Sequence, residues 1–201
     1  MTAHQLILLR HGLTDWNHAR RFQGQADVPL NEVGLAQAAT VADKLLGQGI
    51  ARIFSSDLQR AAVTAQSVAA RLDLPVQLDP RLQEINVGTW AGLTPDEVAQ
   101  QDPDLWEPLR AGQDGRHSST GETATGAGRR VAAALTEYAE NAVDGESVLV
   151  VGHGLTTRVA SLLLMGLDYG HAWSFEGLGN CHWLVLRPAQ PHWRLVTYNR
   201  S

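Results

Sequence analysis

The chain has 201 residues, 44% hydrophobic and 18% charged, with a formal net charge of −5. That is enough for one domain with a sizeable core, and the acidic balance excludes general nucleic-acid binding. A single cysteine, Cys181, excludes an internal disulfide and a cysteine-rich metal site, and no apolar run approaches the length of a membrane span.

The first apolar run starts too early for a basic-then-apolar leader, so a cytoplasmic enzyme is expected. Residues 5–10 read as a strand, and 11–30 as a polar loop rich in Arg, Gln, Gly and Asp. Asn31 caps a predicted helix with an apolar stripe from Leu35 to Leu46, ended by Gly47 and Gly49. Residues 51–55 form a second strand. The next helix is expected to be capped by Ser56 or Asp57 and runs through Leu72. A short strand at 75–78 leads into a connection over 80–93 that carries Glu84 and Trp90. Thr94-Pro95-Asp96-Glu97 starts another helix, with proline at its first position.

Residues 101–121 show no period and read as a lid. A long helix over roughly 122–143 precedes a strand at 147–152 and a helix at 155–165. Strands at 181–187 and 193–199 close the pattern as an edge hairpin, a surface through which two copies could form a homodimer. Strands alternating with helices predict an α/β fold: one three-layer α/β/α sandwich over 1–201 with a mostly parallel central sheet.

Two strings share one shape. Residues 6–12 read Leu-Ile-Leu-Leu-Arg-His-Gly and residues 148–154 read Val-Leu-Val-Val-Gly-His-Gly. Each is an apolar strand ending at His-Gly, and ligands in open α/β sheets bind outside the carboxyl ends of strands. His11 and His153 are therefore expected to face one pocket. Arg10 can fork two donors onto a phosphate and disfavours the imidazolium form of His11, which keeps it nucleophilic. Gly12 is expected to leave room for a close ligand. Arg60, near a helix N-terminus at a strand exit, completes an anion site. A carboxyl group beside a bound phosphate dianion holds its proton by like charge, which suits Glu84 as a general acid. Asn17, Gln23 and Gln25 offer neutral donors, and Trp90, Trp106 and Trp173 are candidate pocket walls, although core or edge packing is the favoured reading for most of them. The arginines would repel a metal ion, and neither histidine has a ligand spacing, so no metal is expected.

Taken together these segments resemble the histidine phosphatase family, with its phosphoglycerate-mutase-like fold. The resemblance rests on Leu9 to Asn17, Arg21 to Asn31, Ser55 to Ala61, Leu82-Gln83-Glu84, Gly88 to Leu93, Gly121-Glu122-Thr123 and Val151 to Gly154. It implies that His11 is phosphorylated and then hydrolysed. Arg10, Arg60, His153 and Asn17 would hold the phosphoryl group, with Glu84 as proton donor and no cofactor. Gln23, Gly24 and Leu155 stand with Asn17 where substrate contacts are expected. Val87 before Gly88, Leu155 after Gly154, and Leu13 all depart from the mutase pattern and favour hydrolysis. The Gln23-Gly24-Gln25 and Gly179-Asn180-Cys181 segments are similar to phosphatases acting on glucosyl-3-phosphoglycerate, and to broad-specificity and α-ribazole phosphatases. The expected partner is a small phosphorylated metabolite, a sugar phosphate or phosphoglycerate derivative, rather than a nucleic acid or membrane.

Overall fold

A computed structural model of the chain describes residues 3–201. One six-stranded sheet runs through it in the order β3-β2-β4-β1-β5-β6. The strands are β1 (Gln5–Arg10), β2 (Ile50–Ser55), β3 (Val76–Leu78), β4 (Ser147–Gly152), β5 (Trp183–Arg187) and β6 (Arg194–Arg200). Pairings among β1 to β4 are parallel, whereas β5 runs antiparallel to β1 and β6 antiparallel to β5.

Alternate residues of the buried strands face two helical layers, as the period of two requires. Ile7, Leu9, Leu149 and Val151 pack against α2 (Glu32–Lys44) and α3 (Gln59–Leu72). Leu6, Leu8, Val148 and Val150 pack against α6 (Ala124–Glu140) and α7 (Gly154–Leu164). This is the three-layer α/β/α sandwich that the alternation of elements predicts. A third cluster, around Ile85, Val87, Trp90, Val98 and Leu109, lies under the connection after β3.

Several local expectations need correction. The 11–30 loop holds a one-turn helix, α1 (Asp15–His18), started by a capping box in which Thr14 and Asn17 exchange hydrogen bonds. Leu35 and Leu46 lie outside the buried stripe of α2, at 50% and 41% exposure. The aperiodic 101–121 stretch follows α4 (Pro95–Gln101) and contains α5 (Pro103–Arg110), whose internal Pro108 obscures the helical pattern. Helix α6 is shorter than predicted, and α7 begins one residue earlier, with His153 as its N-cap residue.

The cap of α3 is the most informative miss. Neither Ser56 nor Asp57 caps it. The N-cap residue is Leu58, which makes no side-chain cap, and Asp27 Oδ1 accepts the Gln59 N–H at 2.7 Å from across the first loop. No helix among the described residues is long and apolar enough to cross a membrane.

Candidate active site

Strand register brings the two His-Gly strings together. Arg10 stands opposite Gly152 in the parallel β1–β4 pair, and the His11 N–H donates to Gly152 O at 3.0 Å. The His11 and His153 rings consequently lie 5.3 Å apart at an interplanar angle of 62°. Both side chains are buried. β2 ends beside β4, since the Ser56 N–H donates to Val151 O at 3.0 Å, and this delivers Arg60 on the first turn of α3.

The tautomer of His11 follows from its partner. Nδ1 lies 2.6 Å from Gly12 O. A carbonyl only accepts, so Nδ1 carries the hydrogen and Nε2 the free lone pair. Burial first, then the charges of Arg10 and Arg60, hold its pKa well below the ordinary histidine range. His153 is shifted the same way by burial, then by Arg60, His11 and Arg10. Neither His153 nitrogen has a hydrogen-bond partner among the described residues. A neutral imidazole still carries one N–H, so His153 can donate without being charged.

The two guanidiniums are braced by carbonyls rather than by carboxylates. Arg10 donates to Leu178 O at 2.5 Å, and Arg60 donates to Ala26 O and Gly24 O, each at 2.7 Å. Their Nε atoms are buried without a partner among the described residues. Burial lowers the pKa of both, that of Arg60 to about 10, which leaves it charged at neutral pH. Carbonyl bracing aims the cations without neutralising them, so the positive charge stays available to an anion.

Glu84 faces this group from the connection after β3, and its charge acts on Arg10, Arg60 and His117. Its Oε1 accepts from the Ile85 and Thr156 N–H groups at 3.0 Å, and Oε2 accepts from Leu155 N–H at 3.1 Å. Two of these donors belong to the first turn of α7, so a helix N-terminus fixes the carboxylate. Leu155 thus contributes its backbone to Glu84 while its side chain lines the cavity.

A cavity of about 180 Å³ opens over these groups. Arg10, His11, Asn17, Gln23, Gly24, Arg60, Glu84 and Leu155 are among the residues that line it. Asn17 Oδ1 accepts from the Thr14 N–H at 3.3 Å, which leaves its amide nitrogen as the free end. Gln23 Oε1 accepts from the Thr14 hydroxyl at 3.0 Å. Gly24 has φ +52°, and a Cβ there would lie 2.5 Å from Val87 Cγ2. These eight predicted site residues thus share one cavity, and His153 joins them through its ring contact with His11. Gln25 is not among the lining residues and donates instead to Glu84 O at 3.2 Å.

Gly12 does something other than predicted. A Cβ there would lie 2.5 Å from Gly34 O, so its bareness admits the backbone of α2 rather than a ligand. None of the three candidate tryptophans lines the cavity. Trp90 is buried in the third cluster, and Trp106 reaches the cavity only by packing on Phe22. Trp173 is 60% exposed and lies close to Gly112.

Sequence reasoning gave no site role to His117, which reaches the cavity from the 101–121 segment and whose pKa is lowered by burial. It also missed Arg130. That guanidinium donates to Arg81 O at 2.8 Å, Gln83 O at 2.9 Å and Glu84 O at 3.4 Å, while paired with Glu122 at 2.9 Å. Both lie in stretches where a basic residue has no local pattern to mark it.

A family model described as the histidine phosphatase superfamily (branch 1) matches residues 6–201. A probable phosphoglycerate mutase of Yersinia pestis is 39% identical over 177 residues, 88% of this chain and 81% of the relative. Among solved structures, a mycobacterial glucosyl-3-phosphoglycerate phosphatase in complex with VO3 has a TM-score of 0.90 at 33% identity, covering 99% of this chain and 100% of the other. Phosphoserine phosphatase from Entamoeba histolytica, in complex with 3-phosphoglyceric acid, has a TM-score of 0.88 at 30% identity, covering 98% and 97%.

Proposed function

This chain belongs to the histidine phosphatase superfamily, and on that premise we propose that it hydrolyses phosphomonoesters through a phosphohistidine on His11, without a metal ion. The observation that carries this reading is the His11 ring. Its Nδ1–H is held by Gly12 O, and its pKa is held low, so Nε2 presents a lone pair at neutral pH.

In the first step the Nε2 lone pair forms a bond to phosphorus, and the bond from phosphorus to the leaving oxygen breaks. Glu84 passes its proton to that oxygen, which leaves as an alcohol. In the second step Glu84 takes a proton from water. The water oxygen bonds to phosphorus, the bond to Nε2 breaks, and inorganic phosphate leaves with the histidine restored. Phosphoryl transfer spreads charge over the equatorial oxygens, so fixed cations supply most of the catalysis. Arg10 and Arg60 supply that charge and the N–H of His153 adds a donor, which is why no metal is needed. Asn17 and Gln23 contribute neutral amide donors to the phosphoryl group or the leaving group.

The proposed substrate is a small phosphorylated metabolite, a sugar phosphate or phosphoglycerate derivative. The names of the mycobacterial and Entamoeba neighbours support that class. The reading is tested with an aryl phosphate in the presence of excess chelator. Turnover should persist, His11→Ala should abolish it, and acid-labile phosphate should be trapped on His11 in the wild type. Turnover that disappears with chelator would sink the metal-free mechanism.

The Yersinia relative favours a second reading, phosphoglycerate mutase. A mutase keeps its phosphohistidine from water long enough to return the phosphate. Isomer formation from a phosphoglycerate, with little inorganic phosphate released, would establish it instead.

A further inference from the structure

The turn leading into β5 takes no part in the reaction scheme, yet it holds the nucleophile loop from behind. Asn180 Nδ2 lies 3.0 Å from His11 O, 3.1 Å from Gly12 O and 3.2 Å from Asn17 Oδ1. All of these partners are acceptors, so the amide must face them with its nitrogen. The neighbouring backbone joins in. Cys181 N–H donates to Arg10 O and His11 O, each at 3.2 Å, and Arg10 N–H donates to His182 O at 3.0 Å. Leu178 O takes the Arg10 guanidinium.

The turn is itself anchored. Cys181 sits in the left-handed region at φ +54°, a conformation a non-glycine residue keeps only where its surroundings enforce it. Asn199 Oδ1, from β6, accepts the Gly179 N–H at 2.9 Å and lies 2.9 Å from His182 Nδ1. The segment is thus tied on one side to the edge strand and on the other to the loop that carries His11.

We infer that Asn180 is a positioning residue for the phosphohistidine cycle. Gly12 O is the shared acceptor: it takes the His11 Nδ1–H and the Asn180 amide together. Holding that carbonyl holds the tautomer and ring plane of His11, and so the direction of its Nε2 lone pair. The same amide occupies Asn17 Oδ1, which turns the Asn17 nitrogen toward the phosphoryl site. One side chain thereby sets both the attacking atom and a phosphate donor. This inference rests on the reading proposed above.

Asn180→Leu keeps the branched side-chain skeleton, in a bulkier form, and removes the donor, and Asn180→Ala removes both skeleton and donor. With an aryl phosphate and glycerol phosphate as probes, kcat should fall by roughly 10–100-fold on both substrates alike, because a misaimed nucleophile is slow whatever the leaving group. KM should change far less. The inhibition constant of vanadate should rise with the fall in kcat. Asn17→Ala combined with Asn180→Leu should lose less than the product of the single losses, and the His11 Nδ1–H proton resonance should broaden or vanish in Asn180→Leu at unchanged thermal midpoint. If Asn180→Leu fails to fold, the same measurements on Asn180→Ser, which keeps a shorter donor, should give an intermediate kcat and an intermediate His11 signal.

A folded Asn180→Leu with wild-type kcat, or single losses that multiply, would overturn the inference while leaving hydrolysis intact. Wild-type protein that forms no phosphohistidine would overturn the hydrolase reading instead.

Discussion

Asp27 Oδ1 accepts the backbone N–H of Gln59 at 2.7 Å, so the helix that aims Arg60 is capped by a residue 32 positions earlier. The contact does two things at once. It satisfies a first-turn donor of α3, and it ties that turn to the loop whose carbonyls, Gly24 O and Ala26 O, grip the Arg60 guanidinium.

Asp27→Ala should therefore destabilise the protein by about 1 kcal/mol, the usual cost of losing a helix cap. It should also weaken competitive inhibition by inorganic phosphate. Urea titration and phosphate inhibition measure the two effects. A drop in stability with an unchanged phosphate constant would separate the cap from the site and refute the coupling.

Gly24 stands at the other end of the same grip. Its φ of +52° disfavours any side chain, and a Cβ would press on Val87. We expect Gly24→Ala to cost about 1–3 kcal/mol, from the left-handed conformation and overpacking together. Because Gly24 O holds Arg60, turnover should fall as well. A variant with wild-type stability would mean the loop relaxes freely.

How far the sequence betrays this arrangement depends on distance along the chain. Apolar runs that end in His-Gly announce two strand ends, and register then places His11 beside His153. Local rules also find the Asn31 and Thr94 caps. They fail at Ser56 and Asp57, because a tertiary partner, Asp27, takes the donor those residues would have taken. They fail at Gly12 because its crowding neighbour, Gly34 O, lies on another element. Glu84 has no periodic or spacing signal of its own, and only the order of motifs across the chain marks it. His117 and Asn180 sit in aperiodic segments, and nothing in their immediate sequence says which way they face.

Acid should unfold this protein earlier than its carboxylates alone would require. His11 and His153 are held well below the ordinary value of 6.5 by burial and by neighbouring cations, whereas both titrate normally once unfolded. Below about pH 6.5 the unfolded chain binds more protons, so the stability they contribute is complete above that value and is lost as pH falls toward the folded pKa values. The urea midpoint of the wild type should drop between about pH 7 and pH 5, and His153→Asn should flatten the slope. Equal slopes in the two proteins would contradict the assignment.

Glu84→Gln keeps the shape of the side chain and one acceptor oxygen, but it removes the transferable proton. It also turns an NH2 toward a backbone N–H that needs an acceptor, that of Leu155 or Thr156. Turnover of alkyl phosphates should fall by roughly 10²–10⁴-fold, the usual contribution of general acid–base catalysis. Formation of phosphohistidine from a nitrophenyl ester, whose leaving group needs no proton, should slow far less. Equal slowing of both would argue that Glu84 acts only as a brace for α7.

The position of β1 carries a consequence for biosynthesis. It leaves the ribosome before either of its neighbours in the sheet, β4 and β5, and its register partners lie more than 140 residues downstream, as Gln5 with Ser147 shows. The nucleophile is made before the strands that hold its own strand in place. Long-range pairing of this kind slows folding and leaves apolar strands exposed on the nascent chain. Leu-Ile-Leu-Leu at 6–9 then lacks its sheet partners until β4 and the β5–β6 hairpin emerge. Catalytic competence should appear late and abruptly, as the closing hairpin docks, rather than grow with chain length.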